Sequence, residues 1–98
     1  MSTYIVRIEL HGRLADYTLL HHWMQKQGFR TTINASDGTT YQLPTATYEI
    51  DSNRTTTDLR DWIGNNLPDC GSAPKPWILV IKSAGAAWRM GGAVRKAA

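Results

Sequence analysis

The chain predicts an α+β fold in which the order strand–helix–strand runs twice along 98 residues. Three observations carry that expectation. Period-two alternation opens the chain over Tyr4–His11, helical spacing follows over 14–27, and a Thr55/Asp58 pair opens a second helix over 55–66. Turn-forming residues separate these segments from one another.

In the first strand Tyr4, Val6, Ile8 and Leu10 alternate with Ile5, Arg7, Glu9 and His11. Period two sends the first set to a core and the second largely to an open face. Gly12-Arg13 ends the strand. Tyr17, Leu20, His21 and Met24 then stand at i, i+3, i+4 and i+7 and form one stripe, flanked by Leu19 and Trp23. Asp16 and Lys26 complement the helix dipole, and Gly28 supplies the stop. Phe29 to Ala35 is rich in β-branched residues and reads as a strand. Ser36-Asp37-Gly38 is the hairpin turn, with Asp37 as turn former and Gly38 supplying the positive φ that the turn needs. The return strand runs from Thr39 to Asp51. Pro44 cannot donate to a ladder, so it marks a bulge or an unpaired position there.

Ser52-Asn53-Arg54 is a loop, and Leu59, Trp62, Ile63 and Asn66 make the inward face of the second helix, whose end Gly64 and two asparagines weaken. Pro68 to Pro76 is a second loop, carrying Cys70 as a free thiol. Trp77-Ile78-Leu79-Val80-Ile81-Lys82 is a nearly continuous apolar run, the pattern of a strand buried on most sides. Residues 1–83 therefore form one domain, and 84–98 a basic, Gly/Ala-rich tail expected to be partly disordered.

This order is the split βαβ, or ferredoxin-like βαββαβ, plan: an antiparallel four-stranded sheet with two helices on one face. The first and last strands then lie side by side, which puts Arg7, Glu9 and His11 near Lys82 at the open face. Alternation assigns Tyr4, Tyr41, Tyr48 and Trp77 mostly to the core, and any of them that reaches the open face suits base stacking.

Net charge is +3 but unevenly spread: residues 1–69 hold six Lys/Arg against eight Asp/Glu, and residues 70–98 hold five Lys/Arg and no acid. A basic C-terminal end suits a polyanion such as RNA, or simply solubilises the chain. The single cysteine forms no internal disulfide. No apolar run resembles a signal peptide or approaches the ~20 residues of a membrane span, so a reducing cytoplasm is the default compartment. No phosphate-binding glycine loop, dinucleotide fingerprint, zinc-type Cys/His set or nucleophile elbow is present, so no cofactor or metal is expected.

RNA cleavage without metal needs a base, an acid and positive charge at the phosphate. His11, at the end of the first strand, is the candidate catalytic residue. Arg7, Arg13 and Arg30 are candidate phosphate contacts, joined by Lys82 and by Arg89 of the tail, where it follows Trp88. His21 lies on the helical stripe and reads as a semi-buried core histidine, and His22 as a solvent-facing one. Their spacing is not that of a helical zinc pair.

The string Asp37-Gly38-Thr39-Thr40-Tyr41-Gln42-Leu43-Pro44-Thr45-Ala46-Thr47-Tyr48, with Tyr4–His11 and Leu20-His21-His22-Trp23-Met24, resembles the GhoS-like family. These are endoribonuclease antitoxins of type V toxin–antitoxin systems that act on the toxin's messenger RNA. The resemblance covers most of residues 3–82 and rests chiefly on structural positions. It implies a ferredoxin-like fold shared with Cas2-like ribonucleases, RNA as partner, and a homodimer formed through a sheet edge or the open face. Cas2-like proteins carry an aspartate near the end of the first strand that is proposed to hold a metal. Here Glu9 and His11 occupy that region, which counts against a simple carry-over of metal dependence. The alternative is a non-enzymatic interaction module that binds protein or RNA. A small-molecule-binding protein is a third reading, disfavoured by the lack of a convergent acid/base cluster.

Overall fold

A computed structural model describes residues 1–35 and 37–83. The elements are β1 (Ser2–Glu9), α1 (Tyr17–Lys26), β2 (Thr32–Asn34), β3 (Thr40–Gln42), β4 (Thr47–Ser52), α2 (Thr56–Asn66) and β5 (Trp77–Lys82). They form an α+β fold with two antiparallel sheets: β4-β1-β5, and the β2-β3 hairpin. The tail from residue 84, with Arg89, lies outside the described residues.

Local chemistry sets the helix ends. Asp16 is the N-cap of α1, not a first-turn residue, and its carboxylate accepts from Leu19 N at 3.0 Å. Thr55 caps α2, its hydroxyl accepting from Asp58 N at 3.1 Å. Asp37 accepts from Thr39 N at 2.8 Å and closes the hairpin turn beside Gly38.

The alternation of β1 holds: Tyr4, Val6, Ile8 and Leu10 are buried. They meet Leu20 and Met24 of α1 and Leu59 and Ile63 of α2, so both helices cover one face of the sheet. Trp23 stacks on Trp62 between the helices, ring centroids 5.8 Å apart. Asn66 is not part of that inward face; it is exposed and its amide donates to Trp62 O at 2.7 Å.

The expected four-stranded sheet is corrected to three strands plus a hairpin. The return strand breaks after Gln42, and Pro44 falls between β3 and β4 in neither ladder. Thr47 N donates to Pro44 O at 3.0 Å, and Ala46 takes a left-handed φ of 63° at the third position of that turn. Ala46 O in turn accepts from Ile8 N at 3.0 Å, which hands the chain over to β1. The stem of the hairpin still touches the main sheet through one bridge, Arg30 with Glu49.

Two further readings change. β5 is an edge strand rather than one buried on most sides: Trp77, Leu79 and Ile81 are 66%, 54% and 51% exposed. Trp77 is therefore a surface residue, whereas Tyr4 and Tyr48 are core. Cys70 lies in a loop but is buried in the core cluster, and that burial pushes its thiol pKa up.

Candidate nucleic-acid interface

Register decides what shares the open face. Residues opposite one another in an antiparallel pair lie on one side of the sheet. Ile5, Arg7 and Glu9 of β1 face Ile81, Leu79 and Trp77 of β5, and Ile5 and Arg7 face Glu49 and Thr47 of β4. The face thus carries an apolar stripe along β5, Ile5, Arg7 and Glu9 in the middle and carboxylates on β4. Where β1 ends and β5 begins, Arg7, Glu9, Trp77, Ile78 and Leu79 line a shallow cleft of about 230 Å³.

His11 stands at this end. Its ring meets Trp77 edge to face, centroids 4.6 Å apart at 66°. The 70–74 loop holds its backbone: His11 N donates to Ser72 Oγ at 2.9 Å, and Ala73 N donates to His11 O at 3.0 Å. Glu9 Oε2 lies 3.8 Å from His11 Nε2, beyond hydrogen-bond reach, and that nitrogen is buried without a hydrogen-bond partner among the described residues. The histidine thus braces Trp77, with only 19% of its side chain exposed.

The other predicted cations are scattered. Arg7 is exposed; its Nη1 reaches Thr47 Oγ1 at 3.5 Å and it makes no ion pair among the described residues. Arg13 is exposed in the β1–α1 turn, also unpaired among the described residues. Arg30 is neutralised by Glu49 at 2.9 Å and Asp51 at 3.5 Å. Asp51 also accepts from Thr3 Oγ1 at 2.6 Å, and that bond, ahead of Arg30's charge, lowers its carboxyl pKa. Lys82 pairs with Tyr4, which places it at the opposite end of β1 and on the helix side, away from Arg7 and His11. The structure brings together Arg7, His11 and Trp77, and separates Arg30 and Lys82 from them.

A second cleft lies between α1, the hairpin and the 43–47 linker. It measures about 290 Å³ and includes His21, Gln25, Gln42, Thr45 and Thr47 in its walls. His21 Nδ1 sits 2.5 Å from Tyr48 Oη. Sequence reading placed His21 correctly as semi-buried but missed both this cleft and the exposure of Trp77. The uninterrupted apolar run Trp77–Ile81 carried no signal for that exposure, which the edge position of β5 decides.

No helix among the described residues is long and apolar enough to cross a membrane. No family model, curated protein or solved structure matches the chain.

Proposed function

We propose that this protein is a ferredoxin-like module that binds single-stranded RNA at the β1–β5 end of its open sheet face, the partner its resemblance to the GhoS-like family implies. The observation that carries the reading is Trp77, 66% exposed and braced by His11, with Arg7, which makes no ion pair among the described residues, lining the same cleft. An exposed aromatic offers a stacking platform for a base, and an adjacent guanidinium suits the phosphate. Order β4-β1-β5 with both helices on one face, and the Arg30–Glu49 bridge bringing the hairpin stem beside β4, supports the ferredoxin-like plan. The buried Nε2 of His11 favours binding over turnover, because a general base must reach the proton it abstracts.

The test is titration of a labelled single-stranded RNA pool, against a duplex control, in Mg²⁺ and in EDTA, with wild type and His11→Ala. Retention of the single strand over the duplex, weakened by salt and leaving the RNA intact, is the expected result. Absence of retention overturns the reading, and cleavage lost in His11→Ala returns the catalytic role to His11.

A second reading, a non-enzymatic module that pairs with its own copy, is favoured by β5 itself. Edge strands normally carry charge that blocks association, yet residues 77–81 carry none. Antiparallel pairing centred on Leu79 sets that residue against its own copy and Trp77 against Ile81. Sedimentation is expected to give a dimer that Leu79→Lys converts to monomer; a wild-type monomer at all concentrations removes this reading.

A further inference from the structure

The cleft beside α1 is built for a neutral planar ligand with hydrogen-bonding edges. Apart from His21 its walls hold no titratable side chain, so a charged head group finds no counter-ion there. Burial pushes the Tyr48 hydroxyl well above its ordinary pKa, so it keeps its proton, and it shares a hydrogen bond with His21 Nδ1. That bond occupies Nδ1 and leaves Nε2, which makes no hydrogen bond among the described residues, as the ring's second hydrogen-bonding atom. Gln42 is complementary. Its Nε2 donates to Thr31 O at 2.9 Å and Leu43 O at 3.5 Å, which leaves Oε1 as an acceptor. Pro44 and Leu43 add apolar surface for a ring face, and about 290 Å³ admits one base rather than a large cofactor.

We propose that this cleft holds a single unpaired nucleobase, with His21 Nε2 hydrogen-bonding to one edge atom of the base and Gln42 Oε1 accepting from a donor. The assignment rests on the RNA reading and extends it. Arg7 reaches Thr47, which lines this cleft, and itself lines the Trp77 cleft, so one guanidinium links the two base sites. A nucleotide stacked on Trp77 and a neighbour seated beside His21 then share the Arg7 contact.

Two-dimensional amide NMR with adenosine, guanosine, cytidine and uridine tests this, run beside the single-stranded RNA titration. Saturable shifts at Gln25, Gln42, Thr45 and Thr47 are expected for at least one nucleoside, in the millimolar range. His21→Ala should abolish saturation. Gln42→Ala, an exposed change that keeps the Tyr48 contact, should weaken it about fivefold, the scale of one hydrogen bond. No saturable shift, shifts confined to the Trp77 neighbourhood, or full affinity in Gln42→Ala overturns the proposal. RNA retention without nucleoside binding in the cleft overturns this inference alone. Nucleoside binding in the cleft without RNA retention supports the pocket and removes the RNA reading.

Discussion

Trp77→Ala is expected to weaken single-stranded RNA binding by roughly 10- to 100-fold, the scale of one lost base-stacking platform. Stability should change by less than about 1 kcal/mol, because the ring is 66% exposed and buries little apolar area on folding. Its loss removes one edge-to-face partner from His11 and opens no core cavity. Trp77→Phe keeps a π-face and should retain most of the affinity. The measurement is a fluorescence-anisotropy titration of each variant with a labelled oligonucleotide at fixed salt, since electrostatic binding falls steeply as salt rises. If Trp77→Ala binds as wild type does, the open-face cleft is not the RNA site and the functional reading falls with it.

Gly71→Ala is expected to be the most destabilising single-methyl change in the described chain, costing more than about 3 kcal/mol. Two effects add. Gly71 has φ +75°, where an L side chain is strained by roughly 1–2 kcal/mol. A Cβ there would also sit 2.0 Å from Leu14 O, a backbone atom that a rotamer change cannot move aside. The surrounding contacts are held on both sides: Gly71 N donates to Asp69 Oδ1 at 2.9 Å, and Asp16 N donates to Cys70 O at 2.8 Å. Relief therefore requires the 70–74 loop to lift off the start of α1. For a domain of this size such a cost lowers the melting temperature by roughly 12–24 °C. Gly38→Ala is the matched control. Its φ is +86° but nothing lies within 4 Å of the added Cβ, so only the backbone strain of about 1 kcal/mol remains. Equal losses in the two variants would refute the steric account. Because the loop also holds the His11 backbone, Gly71→Ala should weaken RNA binding at temperatures where the domain is still folded.

The arrangement around Trp77 is layered. Ser72 and Ala73 hold the His11 backbone, the His11 ring braces Trp77, and Trp77 meets solvent beside Arg7. A surface aromatic supported in this way loses less rotamer freedom on binding than a free one, which favours its use as an anchor.

The elements legible from sequence were those whose signal is local. Alternation in Tyr4–Leu10, the Leu20/Met24 stripe, the Thr55 cap and the Asp37-Gly38 turn each depend on residues a few positions apart, and each appears where expected. Pro44 located the break in the return strand because proline lacks the donor a ladder needs. What the chain joins on either side of that break was a tertiary matter. Ala46 O meets Ile8 N, a partner far away in sequence, and this splits one expected strand between two sheets. The surface was decided in the same way. An apolar run such as Trp77–Ile81 reads alike in a central strand and at an edge, because burial depends on whether another strand lies beside it. Strand order made β5 an edge, and register set Trp77 opposite Glu9 and Lys82 opposite Tyr4. Those long-range pairings gathered Arg7, His11 and Trp77 at one end of the sheet and sent Lys82 to the other, because a register joins residues by their position along the strand and not by their charge.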